Sequence, residues 1–156
     1  MLQSLHIENV AVIERADIVF GRGLTVLTGE TGAGKSIVID AINAVLGERI
    51  SRDAVRHGAE RAFVSAVFTD VGRAVEDTLT ELGFTPEEDG TLLIGRQIAA
   101  DGKGSCRING RPATVSVLRQ IGRMLVNIHG QHENQNLLQP DSHIGYLDRL
   151  GSLVPL

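Results

Sequence analysis

The residues best suited to chemistry lie in a glycine-rich run, GETGAGKS, from Gly29 to Ser36. Its spacing fits GxxxxGK[ST] in full, and it lies between an apolar segment and a run with helical periodicity. The glycines let successive backbone N–H groups turn inward around a phosphate, and a helix that starts near Lys35 adds its positive dipole end. The run predicts a phosphate-binding loop made by Gly29, Glu30, Thr31, Gly32, Ala33 and Gly34.

Lys35 and Ser36 complete this motif. The lysine is a compact cation that can reach the β- and γ-phosphate oxygens, and the serine hydroxyl can coordinate the Mg²⁺ that bridges them. The two residues predict a nucleoside triphosphate bound with Mg²⁺. No guanine-reading NKxD sequence is present, which disfavours a small GTPase.

The groups that activate water are missing from this pattern. A complete P-loop NTPase needs an acidic residue at the end of a second buried strand and a group that orients the attacking water. The run from Ile37 to Asp40 lies inside the predicted helix, and the run from Ala66 to Asp70 is interrupted by Thr69. The sequence therefore predicts phosphate and metal contacts without a full catalytic set.

A second polar cluster, HGQHE at 129–133, directly follows a predicted buried strand. Ligand groups of α/β sheets lie at the carboxyl ends of strands, which favours a nucleotide-sensing loop around Gln131. A metal site of His129, His132 and Glu133 is a second interpretation, although its order differs from helical zinc motifs. A purely structural loop is the third.

Four arginines follow the first long helix, in a chain whose formal net charge is -4. The net charge disfavours bulk electrostatic coating of nucleic acid, so any DNA contact must be local. Arginine favours bidentate contact with phosphate, but Glu48, Asp53 and Glu60 interleave with these residues, which also fits a salt-bridged surface loop. The arginines are Arg49, Arg52, Arg56 and Arg61.

Periodicity predicts an α/β fold that begins with an antiparallel strand pair. A buried strand, Leu24 to Thr28, should precede the phosphate loop, and a helix with apolar residues from Ile37 to Leu46 should follow it and end at Gly47. A meander around an Asn109-Gly110 turn should come next. The remaining expected elements are strands at 61–69, 92–98, 105–108 and 124–128, and helices at 71–82, 114–123 and 141–150.

The composition predicts one soluble domain in the cytoplasm. The chain has 156 residues, no apolar run long enough to cross a bilayer and no export signal at its start. Its single cysteine, Cys106, excludes an internal disulfide and is interpreted as a bystander.

Together these motifs resemble the bacterial RecN family of DNA-repair ATPases, relatives of the SMC proteins. The resemblance runs over nearly the whole chain, and a GETGAGKS loop combined with IHGQHE is far more specific than a phosphate loop alone. The matching runs are LHIENVAVIE, LTVLTGETGAGKSIVIDAI, VRHGAE, INGRPAT and LVNIHGQHENQNLL.

The resemblance implies a P-loop ATPase head of the ABC and SMC type, of which residues 1–140 form the N-terminal lobe, with a mixed sheet that includes an antiparallel meander. Residues 141–156 would lead towards a coiled coil, and the Walker B strand and signature motif would lie in a C-terminal lobe. It further implies ATP and Mg²⁺ as ligands, Gln131 as the Q-loop glutamine that touches Mg²⁺, and Arg56 near nucleotide or DNA.

The implied function is ATP-driven head dimerisation and DNA holding in double-strand break repair and recombination. The implied partners are the C-terminal head lobe, a second head of the same kind and DNA, with no membrane, in a cytoplasmic location associated with the nucleoid. The isolated chain should hydrolyse ATP poorly. Two other classes stay open: a non-catalytic, nucleotide-regulated DNA-binding module, and a self-contained P-loop kinase.

Overall fold

A computed structural model describes residues 1–29, 34–126 and 128 of the chain. Within these residues, six strands and three α-helices are formed. They are β1 (Leu2–Val10), β2 (Ile13–Val19), α1 (Lys35–Val45), β3 (Arg61–Phe68), α2 (Arg73–Glu81), β4 (Leu92–Ala99), β5 (Gly104–Ile108), β6 (Arg111–Ala113) and α3 (Val115–Leu125). A short 3₁₀ turn, Arg52–Ala54, lies between α1 and β3.

The strands form one antiparallel sheet in the order β2-β1-β3-β4-β5-β6. Alternation along each strand places apolar side chains on one face, because successive residues of a strand point to opposite sides. Ile7, Val64 and Ile94 are fully buried on that face. The opposite face carries polar and half-buried residues, such as His6 and Ser65.

Helix α1 packs on the apolar face of the sheet and contacts β1, β3 and β4. Its buried residues have the spacing that the sequence predicts for one helical stripe. They are Val38, Ala41, Ile42, Ala44 and Val45. The helix ends in a Schellman motif at Gly47, whose φ is +88°, as the sequence predicts. There the Gly47 N–H donates to Ala44 O at 3.2 Å and the Glu48 N–H donates to Asn43 O at 3.0 Å.

Most of the predicted elements are confirmed with small shifts in their ends. The first strand pair turns at Ala11 and Val12, and the Asn109-Gly110 turn joins β5 to β6 with φ values of +46° and +75°. These angles are the ones that a tight two-residue hairpin requires. The α/β class and the antiparallel meander are therefore confirmed, while every pairing among the described strands is antiparallel, so the expected mixed sheet does not appear in this part of the chain.

Two predicted buried strands are wrong. Residues 24–28 form no strand and are exposed, with Leu24 at 92% and Val26 at 68%. A strand needs a neighbour for its backbone N–H and C=O groups, and none of the described strands pairs with this segment.

The strand predicted at 124–128 is wrong because α3 continues through Leu125. Leu118, Ile121, Gly122 and Leu125 keep the helical spacing, and this stripe continues the helix instead of ending it at Arg123. The helix predicted at 141–150 lies outside the described residues, so it stays a prediction, as does the division at residue 140. No helix among the described residues is long and apolar enough to cross a membrane.

Candidate nucleotide-binding site

The two ends of the predicted phosphate loop are described, and they lie at the start of α1. Lys35 is the first residue of the helix and is half-buried, and its Nζ donates to the carbonyl oxygen of Gly29. Ser36 follows it and is exposed. This contact brings the lysine ammonium to the other end of the predicted loop, next to Gly29.

The first turn of α1 has the electrostatics of an anion site. Gly34 occupies the N-cap position, and within the described part of the chain no side chain caps it and no acidic residue lies in the first turn. The N–H groups of a first turn have no partner inside the helix, and they carry the positive end of its dipole. With Lys35 and Ser36 beside them, these groups fit a phosphate and its Mg²⁺.

Two arginines at the other end of α1 are functional candidates that sequence reasoning missed. Arg96 of β4 is 9% exposed, and its Nη1 donates to Ala44 O at 2.7 Å and to Glu48 O at 2.5 Å. Arg119 of α3 donates through Nη2 to Gly47 O at 3.1 Å, and its Nε lies 3.7 Å from Glu48 Oε1.

One sequence signal could have identified Arg96. It lies between Ile94 and Ile98 at alternating positions of a strand, so its side chain must point towards the buried face. Burial lowers the pKa of its guanidinium, yet the two carbonyl acceptors and the negative end of the helix dipole stabilise the charge there.

Arg56, predicted near nucleotide or DNA, contacts the hairpin between β1 and β2. Its Nη1 donates to Val12 O at 2.7 Å, and its Nη2 lies 3.8 Å from Glu14 Oε2. An open depression of about 460 Å³ lies beside it and is also lined by Arg52 and His57. Glu48, one of the acidic residues that interleave with these arginines in the sequence, pairs instead with Arg119 of α3.

The other predicted site residues lie outside the described residues. Among them are the loop residues Glu30, Thr31, Gly32 and Ala33, the glutamine Gln131, and the metal candidates His129, His132 and Glu133. The roles predicted for them stay predictions. Within residues 1–29, 34–126 and 128, no group of three His, Cys, Asp or Glu side chains is placed to hold a metal ion.

Comparison with protein families gives a match over almost the whole chain. The model of a family described as "AAA domain" matches residues 4–140. The chain is 45% identical over 150 residues to a protein named DNA repair protein RecN from Bacillus subtilis (strain 168). That match covers 96% of this chain and 26% of the relative, so the chain spans about a quarter of the length of the curated relatives it matches.

Solved structures of similar fold include SMC ATPase heads. One, titled "Structural biochemistry of ATP-driven dimerization and DNA stimulated activation of SMC ATPases", matches with a TM-score of 0.67 and 26% identity, covering 96% of this chain and 98% of that one. The SMC head domain from Thermotoga maritima matches with a TM-score of 0.58 and 25% identity, covering 76% of this chain and 41% of that one. The fold is therefore that of an SMC-type ATPase head.

Proposed function

The chain belongs to the AAA domain family, and we propose that it is the ATP-binding half of a RecN-type ATPase head acting in DNA double-strand break repair and recombination. The observation that carries this proposal is the start of α1, where Lys35 reaches the Gly29 carbonyl beside a helix N-terminus that no described side chain caps. The 45% identity to a RecN protein runs across this same site.

Each residue of the site has a distinct task in this proposal. Lys35 exchanges its contact with Gly29 O for the β- and γ-phosphate oxygens of ATP, and Ser36 supplies a hydroxyl ligand to Mg²⁺. The backbone of Glu30 to Ala33 encloses the β-phosphate. Gln131 supplies an oxygen to the Mg²⁺ and reports the state of the nucleotide, a role that rests on the resemblance to SMC-type heads.

Substitution of Lys35 tests the nucleotide site. We expect Lys35→Ala to abolish detectable MgATP binding in calorimetric titration, because it removes the one side-chain cation of the motif. Lys103→Ala is the matched control, since Lys103 is exposed in the turn between β4 and β5 and pairs only locally with Asp101 at 3.2 Å. Equal MgATP affinity in the two variants would contradict the assignment of the site.

The C-terminal head lobe is the proposed partner of residues 21–29. This segment is exposed, carries three large apolar side chains, and leads directly into the predicted phosphate loop. A strand added beside it would satisfy its backbone and cover Leu24, Val26 and Leu27, which are the apolar side chains it exposes. The water-activating acid that the sequence lacks would arrive with that lobe.

A charge placed on the segment tests this docking. We expect Leu24→Asp to weaken association with a separately produced C-terminal lobe by at least about ten-fold, because a carboxylate would be buried without a partner. Val12→Asp is the matched control, since Val12 is equally apolar and 66% exposed at the tip of the first hairpin. Unchanged association of Leu24→Asp would exclude this surface.

DNA is the proposed macromolecular partner, and a second head of the same kind is the proposed dimer partner around ATP. Arg52 is exposed beside Arg56, and the two guanidinium groups offer a local positive charge despite the negative net charge of the chain. Anisotropy of labelled duplex DNA, titrated with and without ATP, separates the functions. Tighter DNA binding with ATP, but no turnover even with the second lobe present, would favour the non-catalytic module.

A further inference from the structure

The far end of α1 is held by an unusually close backbone contact with α3. A Cβ added to Gly47 would lie 2.4 Å from Arg119 N, and a Cβ added to Gly122 would lie 2.5 Å from Leu46 O. Both distances are far below normal contact distances between heavy atoms. The two glycines are therefore what allows the end of α1 and the middle of α3 to touch backbone to backbone.

The arginines described above act on the same few atoms. Arg96 reaches the carbonyls of Ala44 and Glu48 from the sheet, and Arg119 reaches the carbonyl of Gly47 from α3. Ala44 lies in the last turn of α1, and Gly47 and Glu48 follow directly after it, so these charged donors hold the C-terminal end of α1 to the sheet and to α3. We call Gly47, Arg96, Arg119 and Gly122 the α1 anchor.

Among the described residues, the start of α1 has a different set of restraints, which includes the bond from Lys35 Nζ to Gly29 O. The N-cap Gly34 has no side-chain cap, Ser36 is exposed, and the buried residues begin at Val38. An 11-residue helix is about 16 Å long and moves as a rod, so a shift at its last turn is passed to its first turn.

We infer that the α1 anchor is a positioning device that sets where Lys35 and Ser36 meet the nucleotide. None of its residues lies at the phosphate site, so they act only through the placement of α1. This inference rests on the proposed function, because the effect is read as nucleotide affinity. Residues of α3 and β4 would then affect the affinity for nucleotide without contacting it.

The second helix of the chain supplies a matched control. Helix α2 ends in the same Schellman motif as α1, with Gly83 at a φ of +81° and the Phe84 N–H donating to Leu79 O at 2.8 Å. A Cβ on Gly83 would meet nothing within 4 Å. An alanine at Gly47 or at Gly83 therefore carries the same backbone strain, and only the one at Gly47 also displaces α3.

The test compares MgATP affinity in Gly47→Ala and Gly83→Ala by calorimetric titration, at a temperature where thermal melts show both variants fully folded. We expect Gly47→Ala to weaken MgATP binding by about ten-fold, because a misplacement of about 1 Å in a site has effects of that size or larger. Gly83→Ala should stay within about two-fold of the unsubstituted chain. Equal affinities in the two variants would overturn the inference.

A second pair keeps the test decisive if Gly47→Ala does not fold. Arg119→Met removes the guanidinium on Gly47 O and keeps the stem, while Arg111→Met removes the similar bond that Arg111 Nη1 makes to Gly83 O at 3.2 Å. We expect weaker MgATP binding only in Arg119→Met, and unchanged affinity there would overturn the inference. If the unsubstituted chain shows no Lys35-dependent ATP binding, the proposed function itself fails, and the inference fails with it.

Discussion

Two stretches of similar β-rich sequence differ in structure: one forms a buried strand and the other forms no strand. Strand β3, RAFVSAVF, lies between β1 and β4 and buries Val64, Ala66 and Phe68. The segment LTVLT at 24–28 has the same kind of residues, yet it forms no strand and is exposed. The difference lies in the partners that each stretch finds, because β propensity expresses packing against neighbours more than an intrinsic backbone preference.

The packed sheet and the exposed segment at 24–28 therefore have different roles in the molecule. The antiparallel sheet with α1 on its apolar face is complete within Met1–Val126 and supplies the rigid support. In the sequence, the predicted phosphate loop separates the exposed segment at 21–29 from α1. The stable region and the reactive region of the chain are therefore different, and substitutions should separate them.

The largest difference between the two stretches is expected in the free energy of unfolding. Phe68→Ala should lower the free energy of unfolding by about 3–5 kcal/mol, because it empties a fully buried aromatic site. Leu24→Ala should change it by less than about 0.5 kcal/mol in the chain alone, since Leu24 makes little contact. Urea denaturation followed by circular dichroism measures both.

Phe68→Leu, which should lose about 1 kcal/mol, serves if the alanine variant does not fold. A loss at Leu24 as large as the loss at Phe68 would mean that residues 24–28 are already packed in the isolated chain.

An intermediate effect is expected at the α1 anchor. Arg96→Met should lower the free energy of unfolding by about 2 kcal/mol, because it leaves the carbonyls of Ala44 and Glu48 without their charged donor, while relief of the buried charge offsets part of the loss. Arg107→Met is the control in the same urea experiment, since Arg107 is exposed on β5 and donates to the nearby Gly110 O at 3.0 Å. Equal stability losses in the two variants would remove the special status of Arg96.

The smallest effect concerns the polar face of the sheet. Hydrogen bonds from His6 and then Arg15 lower the pKa of Asp17 below its ordinary value of 3.8. A depressed carboxyl pKa stabilises the fold above pH 3.8, and that contribution is lost as pH falls through the folded-state value. Asp17→Asn should therefore melt slightly below the unsubstituted chain at pH 6 and together with it well below pH 3.8. A constant difference across this range would show that the effect is not electrostatic.

The local part of the fold could be read from the sequence, and the part that depends on distant partners could not. Helix α1, its end at Gly47 and the Asn109-Gly110 hairpin follow from periodicity and from the φ angles that those residues accept. The prediction of a strand at 24–28 failed because pairing depends on elements elsewhere. The role of Arg96 was not predicted, because the sequence of a strand does not show which helix end will pack against its arginine.

The site was predicted in the same uneven way. The spacing of Gly29, Lys35 and Ser36 predicts a phosphate loop, because each position of the motif has a fixed task. The α1 anchor has no comparable sequence motif. It arises from the crossing of α1 and α3 at Gly47 and Gly122, which depends on the tertiary fold.

Steady-state ATP hydrolysis measures whether this chain holds half of an ATPase site. The chain alone should show little or no turnover. Mixing it with the C-terminal head lobe should produce turnover that is lost in Lys35→Ala. Robust hydrolysis by the chain alone, abolished by Lys35→Ala, would show instead that the chain holds a complete ATPase site.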